Sequence, residues 1–323
     1  MYNYHSALGS IKSQFEFYRW DSFIGRDFCV LLPFDRVLNS KFRVSSKRVD
    51  NMLALLKRWK SVVPDIKFML DCGAFSAWRN GFEIDVQMYI EFIKSYGSYW
   101  ESIVALDKIN NPEGTLENCE IMRKSGIENA IPVYHVGEPD KFLVTYTSLS
   151  DYVGFSPPFG LKGDTCIDVY QAQLYNVDGS VRFPDIKFHG FGVGAPIFFQ
   201  VYPWYSCDSS TSDISARFGS VTLYSVRNDI IYAQKLFVSE KQKKQELHYD
   251  YLNNAAKNKV DALFSNFGFS IRSFDETLFP EDIERKYVIA LVNRISFCIF
   301  LSNAVVSRIP SSVPYLSPSV RLL

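Results

Sequence analysis

Apolar positions along this chain follow two rhythms. Short, nearly continuous apolar runs occur at Phe28-Cys-Val-Leu-Leu32, Ile66-Lys-Phe-Met-Leu70 and Ser102-Ile-Val-Ala-Leu106. They recur at Ala130-Ile-Pro-Val-Tyr134, Tyr152-Val-Gly-Phe-Ser156, Ile186 to Gly192, Tyr205-Ser-Cys-Asp208 and Ser220-Val-Thr-Leu-Tyr224. Such runs suit strands buried on both faces of a sheet. The stretches between the early runs carry apolar residues at helical spacing instead. Val49, Met52, Leu53, Leu56 and Trp59 fall on one face of a helix predicted over 45–63, capped by Ser45 or Ser46. Further helices are predicted over 83–96, over 112–125 with Pro112 in the first turn and Gly126 closing it, and over 138–148. A short one begins near Pro196.

Strands alternating with helices imply a parallel sheet covered by helices, an α/β fold. The predicted strands number eight, which is the count that closes a (β/α)8 TIM barrel. A doubly wound open sheet is the alternative, but no Gly-rich phosphate loop follows the first strand. The predicted organisation is therefore a barrel over 1–228, a C-terminal helical extension over 229–306 and a tail over 307–323. The first 25 residues are aromatic and mixed, without an assignable pattern. Residues 229–263 read as one long or two shorter helices. Residues 287–306 are very apolar, yet Asn293 and Arg294 sit in their middle, which favours a helix packed on the barrel over a membrane span.

Composition narrows the picture. With 47% hydrophobic and 16% aromatic residues, the chain has ample material for a core. Formal net charge is zero, so any nucleic acid would have to meet a local patch and not a global field. The six cysteines are scattered, without a CxxC pair or a Cys/His cluster of zinc spacing, so no metal is expected. No secretory signal opens the sequence, and a reducing cytoplasm is the expected location.

The candidate chemistry collects at strand ends. Asp71-Cys72-Gly73, Asp107-Lys108, His135, Gly154-Phe-Ser156, Gly192-Val-Gly194 and Asp208-Ser-Ser each follow or close a predicted strand. In a barrel, the C-terminal ends of parallel strands share one mouth, so these groups would converge there. Each also has a plainer explanation: Asp71 as a helix cap, Asp107 as a loop cap, His135 as a satisfied core histidine, the glycines as turn formers. Two carboxylates facing each other suit reactions at a sugar carbon, one attacking the anomeric centre and the other moving a proton. Phe75 could offer a stacking platform for a flat base, or simply be a core residue.

Asp71-Cys-Gly-Ala-Phe75 resembles the Asp-Ser-Gly-Gly-Phe/Tyr motif of tRNA-guanine transglycosylases. Leu106-Asp107 with Asn111-Pro-Glu113 resembles that family's second acidic strand end. Val153-Gly-Phe-Ser156 is similar to its Val-Gly-Gly segment, and Gly192-Val-Gly-Ala-Pro196 to its Gly-Val-Gly-Lys-Pro. Tyr205-Ser-Cys-Asp208 stands where the family carries its nucleophile. The resemblance runs in order over about residues 66–225 and is greatest to the viral and bacterial branch that inserts 7-deazaguanines into DNA.

That resemblance implies Asp208 as nucleophile at C1′ and Asp71 as general acid/base. It implies Asp107 on the base edge and Phe75 stacked on the base. Cys72, Gly73, Gly154, Ser156, Gly192 and Gly194 would line the pocket, and His135 would reach the base carbonyl. The reaction would be two displacements through a covalent aspartyl–nucleoside adduct, guanine leaving and a 7-deazaguanine entering, with no cofactor. The family's C-terminal zinc ligands, three cysteines and a histidine, are missing here, since only Cys298 follows Asp208. That loss favours DNA over tRNA as the partner. Arg217, Lys241, Lys243 and Lys244 are the candidate phosphate contacts. A tRNA substrate, an N-glycosidase releasing free base to water, and a non-catalytic nucleic-acid-binding barrel are the alternatives.

Overall fold

A computed structural model describes residues 2–5, 29–157, 164–194, 198, 202–210, 214–215, 218–227, 230–238 and 247–266. Its centre is a parallel sheet. The strands are β1 (Tyr2–His5), β2 (Cys29–Pro33), β3 (Lys67–Asp71), β4 (Ser102–Val104), β5 (Ala130–Ile131), β6 (Val133–His135), β7 (Tyr152–Ser156), β8 (Lys187–Gly190) and β9 (Ser206–Ser209). They lie in the order β5-β4-β3-β2-β1-β9-β8-β7-β6. The strands at the two ends of that order, β5 and β6, are halves of one extended segment joined through Pro132. The Ile131 carbonyl accepts from Ala105 N at 2.8 Å on one side, and the Pro132 carbonyl accepts from Gly154 N at 2.8 Å on the other. Proline has no N–H to contribute, so a pairing change is cheapest at that residue.

Of the first six α-helices among the described residues, four fall where apolar spacing predicts them; those over 74–79 and 164–174 were not expected, and the start of the short helix expected near Pro196 lies outside the described residues. The six are α1 (Ser46–Val62), α2 (Ala74–Arg79), α3 (Val86–Tyr96), α4 (Pro112–Lys124), α5 (Asp140–Leu149) and α6 (Asp164–Leu174). Asp85 caps α3 by accepting from Met88 N, and Asn111 caps α4 by accepting from Gly114 N at 2.9 Å. Pro112 occupies the first turn of α4, where an absent N–H costs nothing. Val49, Leu56 and Trp59 of α1 pack with Phe68, Leu70, Tyr89 and Met122 in one apolar cluster. A second, largely aromatic cluster gathers Tyr134, Tyr146, Phe155, Tyr170, Phe188 and Trp204 around β6 to β9.

The alternation of β7 to β9 sorts their side chains. Val153, Phe155, Phe188 and Cys207 belong to the aromatic cluster. Tyr152, Gly154, Ser156, His189, Ser206 and Asp208 alternate with them and point to the opposite face. That face is unusually polar for the middle of a sheet: His189 and Ser206 are both 0% exposed.

Two expectations are corrected, and part of the unassigned N-terminal stretch finds a place. Ser220–Arg227 (β10) is not part of the parallel sheet but forms an antiparallel hairpin with Ile230–Phe237 (β11). The strand between β2 and β9 is the N-terminal Tyr2–His5, whose polar-aromatic pattern gave no apolar run to detect. The helix expected from 229 begins instead as β11, and among the described residues α-helix resumes at α7 (Asn254–Asn266). The expected boundary at 228 thus falls between two strands that pair with each other. The apolar segment 287–306 and the tail 307–323 lie outside the described residues. Among the described residues no helix is long and apolar enough to cross a membrane.

Candidate active site

Asp71 ends β3, and the chain turns at once through Gly73, whose φ of +78° only glycine adopts without strain. The turn brings Gly73 N within 3.3 Å of Asp71 Oδ2. It also makes room for another acid. A Cβ at Gly73 would stand 3.0 Å from both the backbone nitrogen and Oδ1 of Asp35, which lies in the short 3-10 turn after β2. Burial is the main cause that lifts the Asp71 carboxyl to about 7, and the negative charges of Asp208, Asp35 and Asp107 add to it. Burial also raises the Asp35 carboxyl, against the lowering effects of Arg36 and a hydrogen bond from Ser76. The strand ends and the turn after β2 therefore bring three further carboxylates within electrostatic reach of Asp71, and of the four acids three were legible as strand ends. Asp35 was missed because it sits two residues past Pro33, which closes its strand.

Asp208, on β9, is 8% exposed. Its Oδ1 accepts a hydrogen bond from Gly192 N at 2.8 Å, and His189 Nε2 lies 3.5 Å from the same oxygen. Gly192 has φ +63°, so the backbone turn that aims its N–H at Asp208 needs glycine. Gly194 is buried just beyond.

Asp107 and His135 form a buried pair. His135 Nε2 is 2.7 Å from Asp107 Oδ2, while Thr115 Oγ1 donates to Asp107 Oδ1 at 2.8 Å. Burial opposes a charged imidazole, but the hydrogen bond and charge of Asp107, with help from Glu138, outweigh it and raise the His135 pKa. The His135 backbone N–H donates to Glu138 Oε2 at 3.2 Å. Burial pushes the Glu138 carboxyl to about 7. Both oxygens of Asp107 thus already have protein partners, and a base edge would have to use their remaining lone pairs.

The other expected residues divide. Phe75, on the first turn of α2, is 50% exposed with its ring centroid 6.1 Å from that of Trp78. Cys72 is buried, and burial pushes its thiol far above the ordinary range, so it behaves as a small apolar residue. Cys29, Cys119 and Cys207 are likewise buried. At Gly154 the space of a side chain is taken by Phe191, whose Cε2 would lie 2.4 Å from an added Cβ. Ser156 is half-buried, its carbonyl accepting from Val136 N at 3.1 Å. Arg217, Lys241, Lys243 and Lys244 lie outside the described residues. Among the described residues no group of three or more His, Cys, Asp or Glu is arranged to hold a metal ion.

No protein-family model matches the chain, and no curated protein sequence matches it significantly. Among solved structures, it is similar to a type I 3-dehydroquinate dehydratase from Clostridium difficile. The identity is 14% and the TM-score 0.38, over 58% of this chain and 74% of that one. It is also similar to a chain of the tryptophan synthase a2b2 complex from Pyrococcus furiosus, again at 14% identity and TM-score 0.38, over 64% of this chain and 86% of that one. Similarity at that level carries no argument about activity.

Proposed function

We propose that this protein is a base-exchange transglycosylase that replaces guanine in nucleic acid, DNA in preference to tRNA, with a 7-deazaguanine. We also infer that the parallel strands close into a (β/α)8 barrel, because β4 and β7 pair with the two halves of the same segment, 130–135. On that reading the carboxylates at the strand ends surround one mouth.

The observation that carries the function is the unequal environment of two carboxyls in one site. Asp71 is half-buried and crowded by acids, so its carboxyl at about 7 exchanges its proton readily at neutral pH. Such a group can give a proton to a departing base and take one from an entering base. Asp208 has its Oδ1 anchored by Gly192 N–H, with the second oxygen left to attack. In the first displacement, Asp208 forms a bond to C1′ as the C1′–N9 bond to guanine breaks, and Asp71 supplies the proton that guanine takes. In the second, N9 of the deazaguanine attacks C1′, the Asp208 ester bond breaks, and Asp71 recovers the proton. Phe75, on the helix that follows Asp71, supplies an exposed ring for stacking.

Trapping tests this directly. Incubation with guanine-containing DNA should give a denaturation-resistant protein–DNA adduct that Asp208→Ala abolishes and that added 7-deazaguanine releases. Equivalent adducts on tRNA alone would move the substrate to tRNA. Release of free base without incorporation would make the enzyme an N-glycosidase, and no adduct on either polymer would overturn the proposal.

A further inference from the structure

His189 and Ser206 are polar side chains sealed in the middle of the sheet, and neither was predicted as functional. Gly154, His189 and Ser206 are register partners on β7, β8 and β9, so they form one row on the same face. The row is tightly specified. On one side of His189, Phe191 fills the space left by Gly154 and meets the imidazole edge-on, with centroids 4.4 Å apart. On the other side, Ser206 Oγ lies 2.6 Å from His189 Nδ1. Ser206 Oγ is in turn 2.5 Å from the Tyr152 hydroxyl. The far nitrogen, His189 Nε2, faces Asp208 Oδ1 at 3.5 Å.

We propose that Tyr152, Ser206 and His189 are positioning residues for Asp208, a buried line of donors that fixes His189 as its Nε2–H tautomer. Proton counting sets the direction. Asp208, as a carboxylate, can only accept, so the nitrogen facing it carries the hydrogen. His189 Nδ1 then has a lone pair and must receive from Ser206. Having given its only hydrogen to His189, Ser206 receives from Tyr152. Each hydroxyl donates once and the line ends on the carboxylate.

Gly192 N–H and His189 Nε2–H approach the same oxygen, so together they orient the carboxyl and leave Oδ2 to face the substrate. At 3.5 Å the approach is an ion-pair distance and not a formed hydrogen bond, and such contacts commonly tighten when substrate binds. Burial raises the pKa of the Tyr152 phenol, which keeps it a donor throughout the neutral range. The catalytic half of this proposal rests on Asp208 being the nucleophile; the tautomer does not.

The chain has four histidines, so 15N-histidine labelling gives four ring systems, and His189→Gln identifies the one of interest. At about pH 8, His189 should show a protonated Nε2 and a bare Nδ1. In Ser206→Ala the Nδ1 resonance should move downfield as its donor disappears. Tyr152→Phe, which keeps the ring and the packing, should produce a smaller shift of the same sign. A protonated Nδ1 in the unsubstituted protein, or an Nδ1 resonance indifferent to Ser206→Ala, overturns the relay. In the trapping assay both variants should lower the single-turnover rate about tenfold with KM unchanged, as misplacement of a nucleophile does. Should the unsubstituted protein form no adduct, the base-exchange reading fails while the resonances still decide the tautomer. An intact tautomer shift with unchanged turnover would reduce the line to a structural network and overturn its positioning role.

Discussion

At the residue scale, Asp71 sets function against stability. Its carboxyl stands at about 7 in the folded protein and near 3.8 in the unfolded chain. Between those values the native state binds more protons than the unfolded state, so stability falls as pH rises through this interval. Glu138, also at about 7, has the same sign. His135 adds to the trend: its raised pKa contributes stability that is complete below about 6.5 and is lost as pH rises through the folded value. Urea unfolding should therefore show a higher midpoint at about pH 5 than at about pH 8. Asp71→Asn removes the ionisation without removing the shape. It should raise the unfolding free energy at about pH 8 by on the order of 1 kcal/mol or more, and change it little at about pH 4. The same substitution should slow base exchange by roughly 10²–10⁴, the usual worth of a positioned acid/base. Faster turnover, or a stability gain at acid pH instead, would mean that Asp71 is an ordinary cap.

At the element scale, the legible and the hidden parts of the fold separate by cause. Strands β2, β3 and β7 announce themselves because both faces are buried, leaving continuous apolar runs such as Phe68-Met-Leu70. Helices α1 and α3 show because one face is buried at helical period. What the pattern cannot show is the partner. Ser220–Arg227 reads as a strand of the barrel, yet it pairs with β11 in a separate hairpin. Ile230-Ile-Tyr-Ala-Gln-Lys-Leu-Phe237 has an apolar spacing that either period accommodates. The acids at strand ends were visible as chemistry, whereas His189 was hidden inside an apolar run between Phe188 and Gly190. Its one signal was a polar side chain in a buried strand.

Gly154 shows how such a detail acts through an element. Ala at this position would drive a Cβ to 2.4 Å from Phe191, and the ring that abuts His189 would have to move. Gly154→Ala should cost about 1–3 kcal/mol of stability, the range for overpacking, measured by urea unfolding at constant slope. It should also disturb the His189 ring resonances, which a substitution at a glycine lining only a substrate pocket would leave in place.

At the scale of the whole molecule, the closure proposed above depends on two segments that attract little notice in the sequence. One is 130–135, where Pro132 divides the strand so that its halves pair with different neighbours. The other is β1. Tyr2–His5 pairs with β2 on one side and β9 on the other, so it joins the strand preceding Asp35 to the strand bearing Asp208. Its register places Tyr4 opposite both Cys29 and Asp208. Removing it would leave the inner edges of β2 and β9 with unpaired N–H and C=O groups in a buried sheet, each costing about 1–3 kcal/mol. Such a deficit is comparable with the whole stability of a domain, about 5–15 kcal/mol.

A truncation lacking residues 1–5 should therefore lose its cooperative urea transition or become insoluble, although it deletes no apolar run and none of the candidate acids. A polar segment that merely hung from an open sheet would be dispensable, and the truncated protein would unfold at the same urea concentration as the full chain. Restoring the missing residues as a synthetic peptide in trans separates closure from a folding defect. If the gap between β2 and β9 is real, the peptide should bind the truncated protein and return the transition, while a peptide with Pro at position 4, which lacks the N–H that the ladder uses, should not.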